Sequence, residues 1–307
     1  MKVVINGRGR QPRRPVVGLA LSGGGLRGAA HIGVLRALEA NAIPIDMVAG
    51  TSAGAIVAAL YACGHTPAAM QKILEGLNLK ELVDFKLPIG DLFKYGCQWL
   101  FSGKLRFWSA LPSGLIQGKK IEECFTRWWQ NRTVRQTRIP LAITAVDLHS
   151  GDTVFFSTPI PGRRDILNAR YYHNALITDA VRASISIPGV FYPKKYRGMM
   201  LVDGAIKNNL PTDILHHMGA EVIIAVDLGY SGQPNYAIKS VSDILMQCID
   251  IMGREVTLYK AEQYASIIIR PPVKDLTVTN TKQFAQCIAL GEQAMVEHIS
   301  ELRALLN

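Results

Sequence analysis

Residues 47–60 read MVAGTSAGAIVAAL. A short apolar run meets Gly50, passes through Thr51, Ser52 and Ala53 to Gly54, and continues in small apolar residues. Ile45 to Ala49 reads as a short buried strand, and Ala53 to Cys63 as a helix stopped by Gly64. A serine between two glycines, where a strand becomes a helix, is the G-x-S-x-G pattern of a nucleophile elbow. The sharp turn lifts the hydroxyl out at the C-terminal edge of a sheet, and side chains at positions 50 and 54 would collide with neighbouring backbone. The helix that follows aims the positive end of its dipole at the site, which favours a developing oxyanion. A serine idle in a glycine-rich turn is the alternative; the strand before and the helix after favour the nucleophile.

Working outward, Val16 to Leu21 is another short apolar run, entering Ser22-Gly23-Gly24-Gly25-Leu26-Arg27-Gly28. Ala29 to Ala40 then has helical spacing, with Ile32, Leu35 and Leu38 on one face and Arg36 and Glu39 on the other. Strand, helix, strand, helix at this spacing predicts a parallel sheet with helices against it. Pro140–Leu148, Met199–Gly204 and Glu221–Gly229 are further apolar runs that reach Val-Asp, and Ser266–Pro271 adds another. Near-continuous apolar strands need cover on both faces. The expected fold is α/β: three layers, α/β/α, around a mostly parallel central sheet.

Two functions compete for the glycine loop. Gly23, Gly25 and Gly28 satisfy the dinucleotide fingerprint G-x-G-x-x-G, which also wants an acid at the end of the second strand. That strand ends in Ala49-Gly50-Thr51-Ser52, and Asp46 lies at its wrong end. The other function is an oxyanion hole, in which the amides of Gly24, Gly25 and either Leu26 or Ala53 form a concave donor nest. Arg27 adds positive charge suited to an anionic headgroup. The two loops leave adjacent strands and meet at one sheet edge, so acyl-transfer geometry is favoured.

A serine nucleophile needs a proton acceptor. His31, His65, His149, His173, His216, His217 and His298 are available, but none sits in a recognisable histidine loop near the C-terminus. Each reads better as a packed or hydrogen-bonded residue. Asp147, Asp203 and Asp227 close apolar runs, which brings all three to the active edge. A partly desolvated Asp can take the serine proton directly. Capping a turn suits Asp147 and Asp227, and Gly204 gives Asp203 a close approach to another loop. These observations alone leave the three unranked.

The 307 residues are 49% hydrophobic and 19% charged, enough for a substantial core and too few charges for a disordered chain. Of a net charge of +10, Lys2, Arg8, Arg10, Arg13 and Arg14 lie in the first fifteen residues with no acid among them. Such an arm suits anionic lipid or nucleic acid, or is simply a solvated tail. Five scattered cysteines without a C-x-x-C pair argue against disulfides and zinc, and for a reducing compartment. Val16–Leu21 is too short for a signal peptide, and no run reaches the ~20 apolar residues of a membrane span. A cytoplasmic protein is expected, which also argues against glycosylation at Asn131-Arg132-Thr133. Phe85–Lys120 mixes Phe, Trp, Leu, Gly and Lys without a clean period, as in a cap on the core or an interfacial lid.

The motifs together and in this order resemble those of the patatin-like phospholipases, particularly the bacterial branch. GGGLRG (Gly23–Gly28) is similar to that family's oxyanion loop, GTSAG (Gly50–Gly54) to its elbow, and DGA (Asp203–Ala205) to its Asp motif. ASISIPGVFYP (Ala183–Pro193) is similar to the segment before that Asp. The resemblance covers roughly Val17 to Pro211. It implies a Ser–Asp dyad without histidine, metal or cofactor, acting on acyl esters of lipids, and it breaks the tie in favour of Asp203. Ser52 is then the nucleophile and Asp203 the base; Gly23, Gly24, Gly25, Leu26, Arg27 and Gly28 form the oxyanion loop. Gly50, Thr51, Ala53 and Gly54 complete the elbow, and Gly204 and Ala205 the Asp motif. The expected organisation is a flexible basic arm 1–15, a catalytic domain 16–215 with cap or lid 85–120, and strands and helices 216–307 completing the same domain. A phospholipid or other acyl ester is the expected substrate, with peripheral membrane contact through the arm and 85–120, and no nucleic acid. The alternatives are a catalytically weak lipid-binding protein of this fold, a dinucleotide-binding enzyme, and a Ser-His-Asp esterase.

Overall fold

The strand β1 (Val17–Leu21) lies between β2 (Met47–Thr51) and β8 (Val222–Val226), parallel to both. These are the apolar runs of the sequence, and every residue in them is buried. β3 (Leu141–Asp147) extends the parallel set beyond β2, and β9 (Ile267–Ile269) beyond β8. The computed structural model describes residues 13–78, 81–84, 113–159, 166–230, 232, 236, 238–273 and 281–306. Most of the expected cap, 85–112, and the arm up to residue 12 lie outside the described residues.

Side chains alternate across the sheet with period two. Leu19, Leu21, Ile224 and Val226 face one core, and Ala20, Ile223 and Ala225 face a second. The first core is filled by α1 (Ala30–Ala40), α2 (Ala53–Ala62), α5 (Ile177–Ser184), α9 (Thr281–Val296) and α10 (Ile299–Leu306). Against it also lie α3 (Pro67–Glu75) and α4 (Lys119–Trp129). The second core takes α7 (Thr212–Met218) and the end of α8 (Val241–Tyr264). The sheet is therefore covered on both faces, as its near-continuous apolar strands require. α1 and α9 touch through glycine on both sides. A Cβ at Gly33 would lie 1.8 Å from the Ile288 carbonyl oxygen, and one at Gly291 would lie 2.0 Å from that of Ala30.

The far side of the sheet departs from a simple parallel reading. β4 (Thr153–Ser157) runs antiparallel to β3, and β5 (Ala169–Tyr172) follows parallel to β4. β6 (Lys194–Tyr196) and β7 (Met199–Asp203) form a hairpin, and β7 also runs antiparallel to β3. This arrangement places the site. Thr144 pairs with Phe155 on one edge of β3 and Thr51 on the other; Ala145 pairs with Val154 and Asp203. β2 and β7 thus share one edge of β3 and arrive from opposite directions, ending on adjacent residues of it. α6 (Ala205–Asn208) turns the chain away from that meeting point.

The base of the basic arm is fixed. Arg14 makes two 2.7 Å hydrogen bonds to Asp46, and Arg13 reaches Glu221 at 3.2 Å. α8 is a capped helix of 24 residues: Ser240 and Asp243 form a capping box at its start. Its outer side mixes apolar and acidic residues. Ile244, Leu245, Ile251, Met252, Val256 and Tyr259 are exposed, as are Asp243, Asp250 and Glu255, while Met246, Ile249, Arg254 and Leu258 line a cavity. Among the described residues no helix is long and apolar enough to cross a membrane.

Candidate active site

Ser52 occupies the turn between β2 and α2 with φ 54° and ψ −124°, a backbone region that costs a non-glycine residue about 1–3 kcal/mol. The fold holds it there. The Ser52 amide donates to Ser184 Oγ at 2.8 Å, and that hydroxyl donates to the Thr144 carbonyl at 2.7 Å. Thr51 Oγ1 donates to the Asn208 carbonyl at 2.8 Å. A Cβ at Gly50 would lie 2.4 Å from the Gly54 carbonyl oxygen, and one at Gly54 would lie 2.2 Å from that of Leu21. Both glycines of the elbow are thus required by backbone contact.

The glycine loop folds as a 3-10 turn, Gly25–Ala29, leading into α1. It packs on the elbow helix: a Cβ at Gly28 would lie 2.6 Å from Ala53 Cβ. The first amides of such a turn, at Gly25 and Leu26, have no acceptor within it. The Gly23 amide differs, because it donates to Asn209 Oδ1 at 3.0 Å. Gly23 is therefore an anchor of the loop, and the donors left to an oxyanion lie farther along. Ser22 fixes the start of the loop: its hydroxyl accepts from the Leu228 amide at 2.7 Å, and its carbonyl contacts His31 Nε2 at 2.8 Å. The carbonyl only accepts, so Nε2 carries the proton. Burial holds His31 down to about 4, so it stays neutral.

Asp203 closes β7 beside this turn. Its carboxyl is 2% exposed, and Oδ1 accepts from the Ala205 amide at 2.9 Å. Burial raises the carboxyl to about 7, against the lowering effects of the Ala205 amide and the Ser52 hydroxyl. Oδ2 is buried without a well-aligned hydrogen-bond donor. The serine hydroxyl is thus near enough to act on the carboxyl but makes no fully formed bond to Oδ2. Gly204 permits this approach, since a Cβ there would lie 2.4 Å from the Thr144 carbonyl oxygen.

The other strand-end acids are occupied. Asp147 accepts from the amides of His149 and Met200 and from the Ser150 hydroxyl, capping a turn. Asp227 reaches the site's cavity but accepts from the Gly229 amide at 3.0 Å and from Arg270 at 3.3 Å. Asp46 is bound by Arg14 at the opposite end of β2. Ser52, Asp203, Gly23, Gly24, Gly25 and Arg27 line one cavity of 810 Å³, and no histidine is among its lining residues. His173 and His298 contact the carbonyls of Ser157 and Ala294, and His216 packs on Tyr264. Among the described residues no three His, Cys, Asp or Glu gather as a metal site would require.

Ser184 and Asn209 brace the elbow and the loop, yet neither is singled out by composition or spacing. Ser184 lies inside the quoted ASISIP segment, and Asn209 six residues after Asp203. The α8 wall of the cavity carries no motif at all.

A family model described as patatin-like phospholipase matches residues 19–216. A putative patatin-like phospholipase domain-containing protein of Caenorhabditis elegans is 30% identical over 217 residues, covering 70% of this chain and 17% of that one. An NTE family protein of Mycobacterium tuberculosis is 25% identical over 306 residues, covering 91% and 45%. The chain thus spans less than half the length of these relatives. VipD from Legionella pneumophila shares the fold with a TM-score of 0.52 at 14% identity, covering 94% of this chain and 67% of that one.

Proposed function

The chain belongs to the patatin-like phospholipase family, and from that premise we propose that it is a serine acyl hydrolase of lipid esters working through Ser52 and Asp203. One observation carries this reading: a buried carboxyl, raised to about 7 with a lone oxygen lacking an aligned donor, beside a strained serine at the foot of a large cavity. A carboxylate so tuned is a competent base near neutral pH.

Ser52 Oγ attacks the ester carbonyl as its proton passes to Asp203. The amides of Gly24, Gly25 and Leu26 or Ala53 receive the negative charge that forms on the carbonyl oxygen. Losing one such donor typically costs about 100–1,000-fold in rate. Asp203 then protonates the departing alkoxide, leaving an acyl group on Ser52. A water molecule gives its proton to Asp203 and attacks that acyl carbonyl. Release of the acid returns the proton to Ser52. The activity is that of a carboxylic ester hydrolase of phospholipase A or lysophospholipase type. The basic arm and segment 85–120 are the parts assigned to membrane contact.

Replacing Ser52 with Ala is expected to abolish hydrolysis of p-nitrophenyl butyrate with the thermal transition retained. Full activity in that variant would end the assignment.

A further inference from the structure

Arg182 is a buried cation that the reaction above does not use. It lies in the last turn of α5, 2% exposed, and is not among the residues that line the cavity above Ser52. Taking a guanidinium out of water is costly unless its donors are matched. Here they converge on three acceptors. Nη1 donates to Ser186 Oγ at 2.6 Å, and Nη2 donates to the carbonyls of Gln117 at 2.7 Å and Tyr192 at 3.0 Å. The guanidinium also lies over the Phe191 ring, 5.2 Å from its centre. Gly118, at φ 79°, gives it room: a Cβ there would lie 2.3 Å from Nε.

α5 ends on the dyad. The Ser184 hydroxyl accepts from the Ser52 amide and donates to the Thr144 carbonyl. Two residues on, the Ser186 carbonyl accepts from the Asp203 amide at 3.0 Å. The hairpin with β6 stops at Leu201, so at Asp203 it is Ser186 that holds β7. One turn of chain therefore carries a hold on the nucleophile and a hold on the base. The Ser186 hydroxyl is closed into a ring with Arg182: it accepts from Nη1 and donates to the Arg182 carbonyl at 2.8 Å. A planar fork fixes its acceptors in a way that a flexible ammonium does not.

We propose that Arg182 is a positioning residue for the reaction: through Ser186 it fixes the end of β7, so that the Asp203 carboxyl stands at the Ser52 hydroxyl. This rests on the hydrolase reading above. A purely structural cation would act on stability alone, and Lys194 supplies that comparison. It bonds Glu122 and Asp179 at 2.8 Å each, and Glu122 lies 3.7 Å from Arg182 Nε. Lys194 thus shares the ion network of Arg182 but not its bond to Ser186.

The test uses the full chain and p-nitrophenyl butyrate. The readouts are kcat, KM, the pH dependence of kcat/KM and a thermal melt. The variants are Arg182→Met, Ser186→Ala, the two combined, and Lys194→Met. Arg182→Met and Ser186→Ala are each expected to lower kcat by about 10–100-fold, as a misplaced catalytic group does, with KM little changed. The combined variant is expected to be no slower than the slower single one, because both break the same path. The Ser52 hydroxyl lowers the Asp203 carboxyl, so its withdrawal moves the rise of kcat/KM above about pH 7. Lys194→Met is expected to melt lower and keep wild-type kcat. Wild-type kcat in Ser186→Ala, or in a folded Arg182→Met, overturns the positioning role. So do additive losses in the combined variant, or an equal loss of kcat in Lys194→Met. With Ser52→Ala inactive, each of these leaves the hydrolase reading standing. A wild type that does not cleave the ester overturns both.

Discussion

Asp203 is held in a state that opposes folding above neutral pH. Its ordinary carboxyl value of 3.8 is raised to about 7 by burial. Between those values the folded chain keeps a proton that the unfolded chain has released, so this residue's contribution to stability falls as pH rises through that window. At about 1.36 kcal/mol per unit, the ionised group costs on the order of 4 kcal/mol. Asp203→Asn is therefore expected to melt at a higher temperature than wild type at pH 8, with the difference closing towards pH 4. The same variant loses hydrolysis, and wild-type kcat/KM rises with pH through about 7 as the base ionises. A lower melting temperature for Asp203→Asn at pH 8 would contradict the account of this carboxyl. Ser52 is legible in the sequence because its glycines are obligatory. Asp203 is not separable there from Asp147 and Asp227, because all three close apolar runs. Only the folded chain shows that Asp147 and Asp227 already accept two or more donors each.

At the scale of elements, the site exists because β3 outruns β2. Residues 141–144 pair with β2, and 145–147 on the same edge pair with β7 from the opposite direction. Gly204 lies where the two strands meet, against the Thr144 carbonyl. Gly204→Ala is expected to separate β7 from β3, destabilising the chain by about 1–3 kcal/mol for an overpacked site and lowering kcat by more than tenfold. Thermal unfolding and esterase kinetics check this, and a fully active, equally stable variant would contradict it. The parallel strands are readable because each is a continuous apolar run. β7 is readable as a strand, but nothing in its residues gives its direction, which follows from a hairpin with the three-residue β6. β4 and β5 escape notice because they are short and take their place only beside β3.

At the scale of the molecule, one cavity is assembled from parts far apart in the chain. The elbow, the glycine loop and Asp203 come from residues 22–205, while α8 walls the cavity from beyond residue 240. α9 locks the other face through Gly33 and Gly291, a contact that looks like ordinary helix in the sequence. The placement of α8 is likewise invisible there, since its exposed Ile244, Leu245, Ile251 and Met252 read as core-facing residues. The whole protein can be asked directly whether these parts act as one site. Incubation of the folded chain with an alkyl fluorophosphonate, followed by intact-mass and peptide mapping, is expected to place a single phosphonyl group on Ser52 of the wild type. The label is expected to be absent from Ser52→Ala and at least 100-fold slower on Asp203→Asn. Labelling of Ser52→Ala at the wild-type rate, or of Asp203→Asn without delay, would contradict the claim that a serine and one buried carboxylate perform the reaction.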